Sequence, residues 1–248
     1  MHNSKINLDQ KASCIFNFPV VDWTVNTKLL TPKLLQDIEF KIIQEYKPEI
    51  LSVFLTSPTP EKINLFIKAG FEFIQSRLSL EKTISAQHVN FYPFELVLVT
   101  EEKQLDELIQ LCSGIEFDDR FSIDPVIKPE KALQRNIYFL KESFKKKDEF
   151  VFLLINNTQK TVCGFRSFKT DKNHTASMFL SGITRKDNLF DYAGIICYLE
   201  LQALDYLNIK KVKSVISINN FEEINRYIAE LGYKVFNSNT VMRKFYQV

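Results

Sequence analysis

The sequence predicts an α+β protein built on a mixed β-sheet, and three observations lead there. A strand, turn and helix closed by Gly-aromatic occurs twice, at Leu51 to Phe71 and at Ser214 to Tyr233. Short Val/Ile-rich runs bounded by turn residues alternate with segments whose apolar residues recur at helical spacing. The stretch Asn156-Asn157-Thr158-Gln159 separates two such runs and reads as a hairpin turn. Alternating strands and helices in the later part imply a parallel β-α-β portion within the mixed sheet.

Residues 1–12 are polar and are expected to form a tail. Thr31-Pro32 opens a helix, with Thr31 as its cap, Pro32 in the first turn, and Leu34, Leu35, Ile38, Ile42 and Ile43 as its apolar stripe. Leu51 to Leu55 is a strand, followed by a Pro-rich turn, a helix through Ile63 to Ala69, and a strand at 74–83. Residues 86–93, with Gln87 and His88, form the connection to a second half that starts with the strand 94–99. Two helices follow, the first buried through Leu105, Leu108, Ile109 and Leu111, the second running from about Lys128 to Lys146. Between them lies the charged, aromatic loop Phe117-Asp118-Asp119-Arg120-Phe121-Ser122. Strands at 150–156, 161–169 and 175–184, a helix after Gly194, and the second copy of the strand-turn-helix unit complete the order β-α-α-β-β-β-α-β-α-β.

Composition narrows the function classes. The chain has 248 residues, a net charge of +2, 45% apolar residues and 22 Phe, enough for a substantial core and too little charge to draw it to nucleic acid or an anionic membrane. The cluster Lys145-Lys146-Lys147, followed by Asp148-Glu149, reads as a solvated helix end. The four cysteines are widely spaced, and Cys163 and Cys197 are expected as small core residues; three scattered His make no metal site or Ser-His-Asp constellation. No run reaches membrane-spanning length and the N-terminus has no apolar segment, so a cytoplasmic protein with reduced thiols is expected.

The carrier of chemistry is the second repeat. Asn220 follows the strand Ser214 to Ile218, and Tyr227 lies two helical turns further on, before Leu231-Gly232-Tyr233. Aligned on Ile63 and Ile224, the first copy has Phe66 where the second has Tyr227, so only the C-terminal half offers a hydroxyl there.

This arrangement resembles the last motif of the GNAT acyl-CoA N-acyltransferase superfamily. The resemblance implies a tandem GNAT fold: a truncated, degenerate half at 13–85, a linker at 86–93 and a complete domain at 94–248. It implies acetyl-CoA or another acyl-CoA as co-substrate, a primary amine as acceptor, and Tyr227 as the acid that protonates the departing thiolate. Leu180, Ser181, Gly182, Ile183 and Thr184 match the strand that holds the pantetheine arm, and Asn220 matches a side-chain contact to it. Tyr192, Ala193, Gly194, Ile195 and Ile196 match the pyrophosphate turn. The turn departs from the family pattern: Asp191 stands where Gln or Arg is usual, and Ile196 replaces the second glycine. The strand-to-glycine interval is long, which brings Arg185 and Lys186 forward as alternative phosphate contacts. One residue more than the commoner spacing separates Tyr227 from Gly232.

A narrower resemblance, to TDP-fucosamine N-acetyltransferases, rests on the loop at Asp119-Arg120-Phe121 and the Trp23 and Gly-Phe segments of the first half. It implies a nucleotide-linked amino sugar as acceptor, with Asp119 and Arg120 as its contacts. No general base stands out, although His174 precedes the relevant strand. A homodimer is left open, and a non-catalytic GNAT-fold binding protein is the alternative that Asp191 and Ile196 favour.

Overall fold

The computed structural model describes residues 4–25, 30–85, 90–184 and 190–246. The first part of the chain runs β1 (Ser4–Leu8), α1 (Gln10–Phe16), β2 (Val20–Val25), α2 (Pro32–Tyr46), β3 (Ile50–Thr56), α3 (Pro60–Lys68) and β4 (Glu72–Thr83). The second runs β5 (Phe94–Leu98), α4 (Glu102–Cys112), α5 (Pro129–Phe144), β6 (Glu149–Asn156), β7 (Thr161–Thr170), β8 (Thr175–Ile183), α6 (Tyr192–Tyr206), β9 (Lys211–Ser217), α7 (Phe221–Asn225), a π-helical turn Arg226–Glu230 and β10 (Lys234–Phe245). The expected order of the second half is met element for element.

The tail expected at 1–12 is a correction. Residues 4–8 pair antiparallel with β2, and Asp9 caps α1 by accepting from Ala12 N at 2.9 Å. Polar composition hid this strand because β1 lies at the edge of the sheet, where only one face needs apolar cover.

All ten strands form one sheet in the order β1-β2-β3-β10-β4-β9-β8-β7-β6-β5. The last strands of the two halves are exchanged: β4 pairs with β9, and β10 pairs with β3. A boundary at 86–93 therefore divides the sequence but not the sheet.

Local chemistry explains the elements that were legible. Thr31 Oγ1 accepts from Leu34 N at 3.2 Å, and Pro32 occupies the first turn of α2. Asn156 Oδ1 accepts from Thr158 N and Gln159 N, both at 3.1 Å, and shapes the β6–β7 hairpin. Gly70 and Gly232, which close the two repeats, have φ of +85° and +70°, the left-handed conformation only glycine takes without strain.

β6 shows how the sheet divides the core. Val151 and Leu153 pack with Leu105, Leu108 and Leu140 of α4 and α5, while the alternate residues Phe152 and Leu154 pack with Ile196 and Leu201 of α6 and with Tyr227. In the first half, Trp23, Val53 and Leu55 pack with Leu35 and Ile42 of α2 and Phe66 of α3. The repeat is visible in the rings: Phe66 meets Phe71 edge to face at 5.2 Å, as Tyr227 meets Tyr233 at 4.6 Å. Among the described residues no helix is long and apolar enough to cross a membrane, and no His/Cys/Asp/Glu group is placed to hold a metal.

Candidate functional site

The site is made where β8 and β9 part. Their parallel pairing covers only Thr175–Ser177 against Lys211–Lys213. At once β8 bulges: Met178 pairs with Phe168 and Leu180 with Ser167, leaving Phe179 extra. The Ser167 hydroxyl holds the bulge, donating to Leu180 O at 2.6 Å and accepting from Leu180 N at 3.1 Å. From there β8 follows β7 and leaves β9, opening a wedge in the sheet whose β8 side is Leu180 to Ile183. Leu180 is buried, whereas Ser181, Gly182, Ile183 and Thr184 are partly open.

Tyr227 sits at the floor of this wedge with no exposed surface. Its hydroxyl donates to Glu200 Oε1 at 3.2 Å and lies 3.9 Å from Met178 Sδ of β8. The extra residue between Tyr227 and Gly232 is absorbed by the π-helical turn, in which Leu231 N reaches back five residues to Arg226 O at 2.9 Å. A π-bulge inserts one residue without displacing what precedes it. Tyr227 thus keeps the inward position that its aligned partner Phe66 has in the first half.

Glu200 gathers the floor. It accepts from Tyr227 and from Tyr233 Oη at 3.2 Å, and Arg166 Nε of β7 lies 3.3 Å from its second oxygen. Arg166 reaches Glu223 of α7 at 3.2 Å and Cys197 Sγ at 3.1 Å. Cys197 therefore borders a buried ionic network, and burial pushes its thiol up to about 12. Loss of hydration likewise holds Tyr227 well above its usual range, so the phenol keeps its proton at every physiological pH.

Burial also pushes Glu200 up, from 4.5 to about 7, against the pull of Arg166. Between those values the folded chain holds a proton that the unfolded chain has released, so this group makes stability fall as pH rises through the window. A shift of this size corresponds to roughly 3 kcal/mol. Urea midpoints measured from pH 4.5 to 7.5 are expected to show this slope in the wild type and to lose it in Glu200→Gln; equal slopes in both would place the titration elsewhere.

The pyrophosphate-turn residues have other duties. Asp191 caps α6, accepting from Gly194 N at 2.9 Å, and its other oxygen pairs with Arg226 at 2.9 Å. A Cβ on Gly194 would collide with that carboxylate, so the glycine is needed for the cap itself. Tyr192 and Ile196 are core residues at 3% and 0% exposure, and Ala193 and Ile195 are half-buried. Asn220 caps α7, accepting from Glu223 N at 3.3 Å and donating to Glu223 Oε2 at 2.8 Å. Arg185 and Lys186 lie outside the described residues, as do Gln87 and His88.

The loop residues are also engaged. Arg120 is buried and bonds Asp22 at 2.7 and 2.9 Å and Asp9 at 3.1 Å. Asp119 accepts from Phe121 N at 3.0 Å, Ser122 Oγ at 2.5 Å and Asn136 Nδ2 at 2.9 Å. His174 is exposed at the turn before β8.

Sequence reasoning missed Arg166, Glu200 and Glu223. The signal for two of them was available: a single charge inside the apolar runs Gly164-Phe165-Arg166-Ser167-Phe168 and Leu199-Glu200-Leu201. A cavity of about 370 Å³ lies far from this chemistry, between the end of α5 and β5–β6 beside Lys146 and Lys147.

No family model matches the sequence, and comparison with curated proteins gives no match either. Among solved structures the chain is similar to a functionally unknown conserved protein from Staphylococcus epidermidis ATCC 12228, with a TM-score of 0.67 at 13% identity, covering 91% of this chain and 85% of that one. It is similar to a tandem GNAT protein from the clavulanic acid biosynthesis pathway, with a TM-score of 0.56 at 12% identity over 90% of this chain and 75% of that one. A GCN5-related N-acetyltransferase from Sphaerobacter thermophilus gives 0.60 at 11% identity over 98% of this chain and 76% of that one. The chain has a tandem GNAT fold. The likeness at these identities is one of fold.

Proposed function

We propose that this protein is an N-acyltransferase that moves an acyl group from acyl-CoA to a primary amine, with the second half carrying the reaction and the first lending β4 and the loop's ionic partners. The observation that carries the reading is the wedge between β8 and β9 with a neutral, buried tyrosine hydroxyl at its floor. The thioester would lie along Leu180 to Thr184; the N–H groups of Leu180 and Thr184 are already given to Ser167 Oγ and Cys163 O, so the donors for the oxyanion would come from the backbone N–H groups between them. The neutral amine attacks the carbonyl carbon, its nitrogen releases one proton to solvent as the tetrahedral adduct collapses, the C–S bond breaks, and the Tyr227 hydroxyl gives its proton to the sulfur. Glu200, which titrates near neutrality, returns a proton to Tyr227.

Acyl-CoA lying in the wedge would meet Asp191 at the N-terminus of α6, where its pyrophosphate would lie. Binding requires that carboxylate to turn away, which frees Arg226 to face the phosphates. A nucleotide-linked amino sugar is one acceptor to test, although Arg120 and Asp119 are already satisfied by protein groups.

The test is calorimetric titration with acetyl-CoA and with a longer acyl-CoA, for the wild type, Asp191→Asn and Tyr227→Phe. Wild type is expected to bind, Asp191→Asn several-fold more tightly, and Tyr227→Phe with unchanged affinity. Against an acceptor found by following thiol release from an amine panel, Tyr227→Phe is expected to lose about 100-fold in kcat. A second reading, a GNAT-fold protein that binds a ligand without catalysis, is favoured by the Asp191–Arg226 pair across the α6 N-terminus. Absence of binding at millimolar acyl-CoA, in Asp191→Asn as well as wild type, would decide for it.

A further inference from the structure

On the other side of the sheet from Tyr227, the loop 113–128 lies near polar groups on β4 that none of the described residues satisfies. Gln75 is 1% exposed, and both its amide oxygen and its amide nitrogen lack a partner among the described residues. Two residues on, and so on the same face of the strand, Arg77 has a buried Nε with no partner. Buried amides and guanidiniums are nearly always bonded, because leaving one unpaired forfeits its hydration for nothing.

The setting of the two groups is defined. Gln75 lies across from Val241, and Arg77 lies between Asn239 of β10 and Ser217 of β9, next to the wedge. Val241 and Arg120 line a small cavity of about 10 Å³, room for one water. Arg77 and Arg120 both stand over the Phe54 ring, at 5.5 and 4.9 Å. Arg120 is neutralised by Asp22 and Asp9, but Arg77 forms no ion pair among the described residues, and burial with the neighbouring Arg120 lowers its pKa to about 10. Asp118, within electrostatic reach of Arg77, forms no ion pair among the described residues either. It is exposed, yet it is close enough to the sheet for lost hydration, then Glu223 and Asp119, to raise its pKa.

A cation and a carboxylate, neither in an ion pair among the described residues, thus lie within electrostatic reach of one another beside the wedge, with an unsatisfied amide next to the cation. We propose that Gln75 and Arg77 bind the anionic group of the acceptor, so that the acceptor is an amine carrying its own carboxylate or phosphate, its nitrogen toward Asp118. The identification of this ligand as an acceptor rests on the acyltransferase reading; the binding of such a ligand does not. Asp118 is then the group that receives the ammonium proton before attack on the thioester. The first half of the chain, through β4, selects the substrate.

The test uses the full chain without any acyl donor, so that failure of the acyltransferase reading leaves it intact. Thermal unfolding is followed with glycine, β-alanine and γ-aminobutyrate as carboxylate probes and with glucosamine 6-phosphate as the phosphate probe. Each is set beside its matched amine alone and anion alone. The wild type is expected to be stabilised most by one of the two zwitterion classes, which names the anion. Arg77→Met should weaken that probe roughly tenfold or more, and Arg77→Lys should restore part of it. Ligand-free Arg77→Met and Gln75→Leu are expected to melt at or above the wild-type temperature, since each removes an unsatisfied buried polar group. Lower melting temperatures for both ligand-free variants, or the same response of wild type and Arg77→Met to every probe, would overturn the proposal.

Discussion

Replacing Arg166 by Met is expected to lower the stability of the fold by about 4 kcal/mol, because it leaves buried Glu200 and part-buried Glu223 without the cation between them. The Arg166 side chain is 4% exposed, Glu200 1% and Glu223 18%, so neither acid recovers much hydration. Burial already holds Glu200 up at about 7, and without the guanidinium it is forced to stay protonated. Glu223 keeps its bond to Asn220 at 2.8 Å and a partly open position, which is why the expected loss lies within the range for one broken buried pair and not for two. Urea unfolding of Arg166→Met and of the double variant Arg166→Met/Glu200→Met separates the terms. The double variant should recover most of the loss, since an apolar pair of similar volume replaces an ion pair with little penalty. A single-variant change below about 1 kcal/mol, the value of an exposed pair, would mean that the network is solvated.

The second large effect is expected from Arg120→Ala, at about 3 kcal/mol. This side chain ties the loop of the second half to the first: two bonds to Asp22 on β2 and one to Asp9 at the start of α1. It also lies on the Phe121 ring at 4.4 Å, so its removal loses cation–π contact as well as charge. The magnitude is set below that of Arg166 because the Asp22 side chain is 24% exposed and regains some water. Arg135, 3.8 Å from Asp9, offers partial cover. Arg120→Lys should recover little, since an ammonium cannot take both Asp22 oxygens in the plane of a fork. A double-mutant cycle with Asp22→Asn measures the coupling, and a coupling near zero would remove the clamp from the account.

Much of this architecture could be read from local chemistry. Thr31-Pro32, the Asn156 turn and the two glycine-closed repeats declare themselves because each satisfies its backbone within a few residues. The repeat also placed Tyr227 inward, beside its aromatic neighbour, as Phe66 is. What could not be read was non-local. No property of residues 72–83 or 234–245 announces that they trade places, since strand pairing leaves no mark in either strand's own sequence. The polar residues of the loop were legible as unusual, yet Arg120 answers to Asp22, 98 positions away, and to Asp9, 111 away. Asn220 and Gly194 matched a cofactor pattern, and the same side-chain chemistry serves equally well to cap helices.

The exchange of β4 and β10 has a consequence for how the chain is made. β3 leaves the ribosome well before β10, its permanent neighbour on the side away from β2. At about 5–20 residues per second, the nascent first half waits roughly ten seconds or more with one flank of its sheet unzipped. That flank carries Leu51, Val53 and Leu55, the kind of edge that other chains can join. Loss of β10 would therefore harm the first half, translated long before it, as severely as the second. The first half is finished by the closing strand of the second.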